Sequence, residues 1–363
     1  MATTTYGVND ALAVKLWSQK LAAEALKATP IAPLIGKSAN SIIQHKTETT
    51  KGKGDQVTYG LRMQLQGRGV TEGETQEGNE ESLTTYSDSL KINELSHAVR
   101  VKNEQTIDNQ RILFDVRTEA KDGLRDWYAD RLSLMFFMQM GGYTGASITF
   151  EGTAISSGGV IYGFNAPTAP SSGRVLRPAS AANDQALTSS DTFDLSLIDT
   201  AVAMAKTANP KIRPVKVDGA DKYVLYLHPY QVKALRTNTS TGQWLDITKA
   251  VYQGSKQSNP IYSGSLGEYN GVILREAEHV VTGLNASTGA EITTVRRAVF
   301  LGAQAGAIAF GMNRGPTSYK WVEEMFDYQR ELGVAVQTIL GMKKMVFNSV
   351  DFGSIVIPTY ASL

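Results

Sequence analysis

Between Lys51 and Val101 the chain carries two strand patterns around a polar tip, and a long amphipathic helix pattern follows at once. The outgoing strand reads Asp55-Gln-Val-Thr-Tyr-Gly-Leu-Arg-Met63, and the returning one Leu83-Thr-Thr-Tyr-Ser-Asp-Ser-Leu-Lys-Ile-Asn93. At the tip Gly67, Gly69, Gly73 and Gly78 alternate with Glu72, Glu74, Glu77, Glu80 and Glu81. Such a hairpin has too little apolar surface to bury against its own molecule, and an isolated two-stranded ribbon is marginal in water. The ribbon is therefore expected to lie on something else. Gly67, Arg68, Gly69, Glu72, Glu74, Glu77, Glu80 and Glu81 are the residues expected to touch a neighbouring molecule.

Composition narrows the classes. With 363 residues the chain can bury a sizeable core as one large or two moderate domains. A formal charge of +1 advertises no tight nucleic-acid binder. There is no cysteine, which removes disulfides, thiolate metal sites and cysteine nucleophiles. The N-terminal Met1-Ala-Thr-Thr-Thr-Tyr-Gly-Val lacks the basic start and apolar stretch of a secretory signal. The most apolar window, Leu132-Ser-Leu-Met-Phe-Phe-Met-Gln-Met140, is about half the length of a membrane span. A soluble protein made in a cytoplasm, with no membrane contact, is expected.

The remaining elements follow from periodicity. A first helix capped by Asn9 or Asp10 should run to about Lys27, with Pro30 and Pro33 ending it and Ile31, Leu34 and Ile35 docking its end. With no strand-rich core of its own, the whole N-terminal stretch reads as an arm. The long helix should start near Thr106 or Asp108 and run to about Met140, roughly 50 Å. Its stripe is Leu113, Val116, Ala120, Leu124, Trp127, the Arg131 stem, Leu134 and Met138. Arg111 with Asp115, and Asp122 with Arg125, should pair on its polar side. Tyr143 to Ser190, rich in Gly, Ser, Ala and Pro, reads as an irregular surface insertion holding at most one hairpin. An α+β module follows: a helix capped by Asp194, a strand Lys222–Leu227, a short helix after His228-Pro229, a helix over Trp244–Tyr252, a tight turn at Asn270-Gly271, and strands at Val272–Glu276, Arg297–Gly302 and Ala307–Phe310. Long strands over Tyr319–Tyr328 and Val334–Phe347, and a shorter one from Phe352, should pack beside the long helix.

Motifs for chemistry are thin. Ile35-Gly-Lys-Ser38 has Ile31, not glycine, five residues before Gly36, so it lacks the backbone path of a phosphate loop. His45, His97, His228 and His279 lie far apart without ligand spacing. Ser156-Ser-Gly-Gly and Ser263-Gly-Ser-Leu-Gly are not nucleophile elbows. The Gly/Glu tip does not match a calcium loop. Strand alternation puts Glu323 and Glu324 on opposite faces, which removes them as a glycosidase pair. Tyr319, Trp321, Phe326 and Tyr328 fit core or interface packing better than base stacking. No catalytic residue, metal ligand or cofactor is expected.

The order arm, glycine-tipped hairpin, long helix, α+β module and returning strands resembles a tailed-phage major capsid protein of the Hong-Kong-97-type (HK97-like) fold. Local stretches are similar too: Tyr223-Val-Leu-Tyr-Leu-His-Pro229, Gly267-Glu-Tyr-Asn-Gly271-Val-Ile-Leu, and Glu324-Met-Phe-Asp-Tyr-Gln-Arg-Glu-Leu-Gly333 through Gly341-Met-Lys-Lys-Met-Val-Phe-Asn348, which resembles the podovirus-type capsid family. The resemblance implies an α+β shell subunit. Residues 1–50 would be the N-terminal arm, 51–101 the extended loop and its base, 102–193 with 316–363 the peripheral domain, and 194–315 the axial domain. Pentamers and hexamers would enclose a double-stranded DNA genome, bound without sequence specificity, with portal, scaffold and decoration proteins as further partners. The chain would be made and assembled in a bacterial cytoplasm and end in the virion.

Two features depart from relatives. No long N-terminal scaffolding segment precedes the arm, so a separate scaffold, or none, is expected. Lys51 and Lys53 lie at the ribbon's base rather than its tip, so no lysine–asparagine cross-link is expected. Two other readings stay open: an encapsulin-like bacterial compartment shell, and an enzyme with an unrecognised carboxylate site.

Overall fold

The computed structural model describes residues 21, 24–25, 29–48, 54–62, 65, 67–83, 85–102, 106–111, 115–156, 163–217, 219–240, 267–312 and 319–362. Leu113, Lys51, Lys53 and the helix expected over 244–252 lie outside them, as does all of the first expected helix except Leu21, Glu24 and Ala25, which are helical.

A 3-10 turn at Ala32–Leu34 leads to β1 (Ile35–Gly36) and β2 (Ile43–Lys46). The ribbon is β3 (Gln56–Arg62) and β4 (Thr85–Lys91), and β5 (Asn93–Lys102) continues from β4 after Ile92 alone. Helices α1 (Ile107–Arg111) and α2 (Val116–Met140) follow, then a hairpin of β6 (Ser147–Phe150) and β7 (Thr153–Ser156). The next elements are α3 (Leu195–Thr207), β8 (Val215–Val217), β9 (Ala220–Leu227), α4 (Pro229–Thr237), β10 (Glu268–Tyr269), β11 (Val272–Glu276), β12 (Thr282–Leu284) and β13 (Glu291–Leu301). The chain closes with β14 (Gly306–Phe310), β15 (Lys320–Phe326), β16 (Glu331–Lys344), β17 (Val346–Phe347), β18 (Val350–Asp351) and β19 (Ser354–Tyr360).

Helix α2 is 25 residues long, so it spans about 37 Å rather than the longer spine expected. The reason is local. Asp115 is extended and caps the helix, its side chain accepting from Arg117 N–H (3.1 Å) and Thr118 Oγ1–H (2.6 Å), which replaces its expected pairing with Arg111. The Asp122–Arg125 pair forms at 3.5 Å. Along α2 the burial changes character. Its first half shows one buried stripe, with Ala120, Leu124 and Tyr128, whereas every residue from Arg131 to Met140 is buried. A helix segment apolar on all sides belongs in an interior. No described helix is long and apolar enough to cross a membrane.

Two sheets meet around that segment. The first, six-stranded, runs β1-β2-β14-β16-β15 with β5 also paired to β16; the second, seven-stranded, runs β10-β11-β9-β13-β12 with β19 on β13 and β8 on β9. Phe136, Phe137, Met138 and Met140 pack between Tyr226 and Val299 of the second sheet and Ile308, Phe310 and Leu340 of the first. The other face of the second sheet is covered by α3 and α4, through Ile198, Val202 and Leu235 on Leu225, Phe300 and Ile357. The α+β fold class expected from the sequence is the one observed.

Three pairings differ from expectation. Strand β2 pairs with β14 and Ile31, Ile42 and Ile43 are core residues, so this part of the supposed arm is built into the body. Strand β14, expected in the α+β module, pairs with β2 and β16 instead. Strand β19, expected beside the long helix, pairs with β13 over Ser354–Tyr360 and completes the second sheet. Strands β14 and β19 read as buried apolar runs, whereas β2, Ile43-Gln-His-Lys46, carries too few apolar residues to announce a body strand. Apolar runs mark burial on both faces without naming a partner.

The 143–190 segment is the larger surprise. It forms the expected hairpin, but Asn165, Arg174 and Asp184 within it are buried, so it is not a surface insertion. Asp184 accepts from Arg297 Nε (2.8 Å) and Arg177 Nε (2.9 Å), and Arg174 Nε donates to the Asp351 carbonyl (2.9 Å). Lys344 Nζ pairs with Asp351 at 2.8 Å, both side chains almost wholly buried. Polar side chains here replace the backbone ladder that Gly, Ser and Pro cannot build.

The expected Asp194 cap and Asn270-Gly271 turn form as read, and His228 adds a cap that was not expected. Asp194 accepts from Leu197 N–H (3.1 Å), and Asn270 and Gly271 take φ of 47° and 71° in a tight turn that suits asparagine–glycine. His228 caps α4, its Nδ1 accepting from Tyr230 N–H at 3.2 Å.

Burial, then nearby Arg296, push the His228 imidazole down to about 3. The unfolded side chain titrates near 6.5, so the unfolded chain binds the extra proton first as pH falls. This group's contribution is complete above about pH 6.5 and is lost toward pH 3, at about 1.4 kcal/mol per pH unit. Urea midpoints at pH 7 and pH 5 should therefore differ less in His228→Asn, which keeps a cap but cannot titrate, than in the parent. A second prediction concerns Gly341, where a Cβ would overlap the Lys91 carbonyl oxygen. Gly341→Ala should lower the thermal midpoint clearly, because backbone, not a flexible side chain, blocks it.

Candidate assembly interface

The ribbon's legs are antiparallel in one unbroken register from Gln56↔Lys91 to Arg62↔Thr85. Each leg is about 24 Å long. Among the described residues β3 and β4 pair with no other strand, so above the root, where Asn165 and Lys343 bond to Lys91 and Ser89, both outer edges are open to another strand. Free edges of this kind are templates for another strand.

The tip residues expected from the sequence are gathered as one exposed unit. Two tight turns shape it, with Glu74 N–H donating to the Thr71 carbonyl (3.1 Å) and Asn79 N–H to that of Gln76 (3.0 Å). Gly73 and Gly78 take φ of 95° and 87° with nothing within 4 Å of an added Cβ, so conformation rather than crowding asks for glycine there. Several carboxylates fold the tip onto itself. Arg68 donates twice to Glu74 Oε1 (3.0 Å each), Gly67 N–H donates to Glu81 Oε2 (2.6 Å), and Gly78 N–H to Glu80 Oε2 (2.7 Å). Glu72 and Glu77 are exposed. Leu65 and Leu83, where the tip meets the legs, are also more than half exposed.

The lower ribbon behaves differently from the sequence expectation. Val57, Tyr59 and Leu90 are buried against Ala307 and Ala309 of β14 and against Met345, Phe347 and Phe352. The ribbon thus has enough apolar surface at its root to seat itself on its own molecule, and only its upper part stands off. One face of the outgoing strand carries Val57 and Tyr59 at alternate positions, the signal that could have shown it. Burial, with Asp88 beside it, raises the Tyr59 phenol well above its ordinary range.

Behind the ribbon, the first sheet has one face on α2. Tyr128 OH donates to the Val336 carbonyl (2.7 Å), Trp127 stacks on His97 at 4.2 Å, and Trp321, Val334 and Val336 close the layer. Tyr319 and Trp321 are core residues, as expected, while Tyr328 at the β15–β16 turn is fully exposed. The face away from α2 carries Ser96 and Ala98 opposite Gln337 and Ala335, and at Arg100 opposite Gly333 the Phe326 ring lies over the glycine with the Arg100 guanidinium 4.3 Å above the ring.

The remaining candidates for chemistry separate. Glu323 is buried, accepting from Arg117 (2.7 and 2.8 Å) and from Trp321 Nε1–H (2.8 Å), whereas Glu324 is exposed on the opposite face. Among the described residues no three of His, Asp and Glu are placed to hold a metal ion. Ile35-Gly36 follows the Ala32–Leu34 turn as a short strand paired parallel to β2.

The ribbon projecting from a body of two sheets joined by a helix is the Hong-Kong-97-type fold shared with solved phage capsids. The model of the phage capsid protein family matches residues 5–363. The chain belongs to that family, as a major capsid protein of a tailed phage. It is 29% identical to the major capsid protein of Pseudomonas phage KPP25, over 94% of this chain and 93% of that one. Its structure is similar to the capsid of Ralstonia phage GP4, with a TM-score of 0.78 and 32% identity over 100% and 99% of the two chains. The fold also matches the capsid of Cyanophage Pam1, with a TM-score of 0.70 and 21% identity over 93% of each.

Glu323 should prove structural. Removing its partner in Arg117→Ala leaves a buried carboxylate under-satisfied and should cost about 1–3 kcal/mol in urea denaturation.

Proposed function

We propose that the chain assembles through pentamers and hexamers into an icosahedral shell enclosing the double-stranded DNA of a tailed phage. The observation that carries this reading is the projecting ribbon, its two edges open above the root, on a subunit of this family. In a shell, the edges and exposed tip of one copy would be covered by the next, meeting the unsatisfied backbone groups and shielding Leu65 and Leu83. Gly67, Arg68, Gly69, Glu72, Glu74, Glu77, Glu80 and Glu81 form the contact surface of the ribbon in this reading.

The division of labour follows the sheets. The first sheet with α2 serves as the peripheral domain, and the second with α3 and α4 as the axial domain. Near-neutral charge suits a wall that confines DNA without gripping it, since phosphate affinity rises with every lysine or arginine contact. Portal, scaffold and decoration proteins are the further partners, assembly takes place in the host cytoplasm, and the role is structural rather than enzymatic.

Deleting Gly67–Ser82 should leave a subunit with parental circular dichroism that no longer closes shells. Negative-stain electron microscopy of the deletion beside the full chain, each expressed with the neighbouring phage genes, checks this. Normal shells from the deletion would overturn the ribbon's role.

A further inference from the structure

One residue, Ile92, separates β4 of the ribbon from β5 of the body, so a covalent link alone would let the ribbon leave at many angles. Polar groups from separate segments hold its root. Asp88 on β4, its side chain 12% exposed, pairs with Lys343 Nζ of β16. It also accepts from Tyr59 OH across the ribbon (3.2 Å) and from Val346 N–H (3.3 Å). Lys343 Nζ donates in addition to the Ser89 carbonyl (3.0 Å). Two residues further on, Asn165 mimics a neighbouring strand: its Oδ1 accepts from Lys91 N–H (2.9 Å) and its Nδ2 donates to the Lys91 carbonyl (2.6 Å). The Asn165 carbonyl in turn accepts from Gln139 Nε2 of α2 (2.5 Å), which ties the root to the central helix.

We propose that Asp88 and Asn165 are positioning residues that preset the ribbon's angle on the free subunit, so that its tip and edges meet a second copy of this chain in one orientation. The shell reading supplies only the identity of what the ribbon meets; the preset angle is a property of the isolated subunit. The physical case rests on direction. The apolar contacts beneath the root are strong but non-directional. A charge-assisted pair and a two-bond amide clamp have fixed geometry. Their contribution to stability alone is modest, because an ion pair drawn out of water roughly offsets its own desolvation. Their contribution to association is larger, since a ribbon oriented beforehand loses less freedom when it docks.

The chain has no cysteine, so Glu77→Cys at the tip and Lys206→Cys on α3, both at exposed positions, give a unique spin-label pair. Pulsed EPR on the dilute, unassembled subunit should show one narrow distance distribution. Asp88→Asn and, separately, Asn165→Ala should broaden or displace it, while a body pair at Lys206→Cys and Lys233→Cys stays unchanged. Folded variants that keep the parental distribution, or a parent already broad, would overturn the proposal. Should Asp88→Asn not fold, Asn165→Ala decides alone. A narrow distribution in a subunit that never closes shells would leave the clasp standing and remove the shell reading.

Discussion

Everything in this subunit is organised by the burial of one stretch of helix, Arg131 to Met140, on every side. Phe136, Phe137, Met138 and Met140 touch both sheets at once, so neither sheet has a complete core without them. Burying side chains of this size contributes about 1.5–3 kcal/mol each. Tyr128 and Leu124, one and two turns earlier, extend the same helix over the first sheet, and the chain on either side of it reaches the ribbon and the second sheet. A rigid rod that is core at one end and surface stripe at the other keeps the two sheets in a fixed relation.

Apolar packing of this kind brings the parts together but does not orient them. Orientation comes from buried polar ties made by a segment without regular structure. Asp184 holds Arg177 and Arg297, Arg174 holds the carbonyl of Asp351, and Asn165 holds the ribbon's root. Asp184 with Arg297, Arg174 with Asp351 and Asn165 with Lys91 each join segments far apart in the sequence. Polar groups in a low-dielectric interior are costly unless paired, so these contacts discriminate strongly between alternative packings. The ribbon inherits that precision, because its root is bonded to the same framework from which its tip departs.

Much of this was legible in advance. The ribbon with its turn glycines, the Asp194 cap, the Asn270-Gly271 turn and the α+β class all rest on local rules that need only neighbours in sequence. The tip residues were found together because they are consecutive. What escaped was set by distant partners. Nothing near Asn165 in the chain shows that its amide will meet Lys91. The seating of Val57, Tyr59 and Leu90 was missed because the alternating face was weighed against the ribbon alone and not against Phe347 and Phe352, almost the whole chain away.

The sequence by itself determined the ribbon strands with their glycine-rich tip, the long helix, the Asp194 cap, the Asn270-Gly271 turn and the α+β class. Those properties follow from side-chain periodicity and backbone freedom, which act over a few residues. Only the tertiary structure decided that β14 would join the first sheet and β19 the second, that β2 would be body rather than arm, and that the ribbon's lower half would sit on its own molecule. Apolar runs are interchangeable in the strength of their burial. Their partners are chosen by the closing of long loops and by directional bonds that exist only once the fold is made.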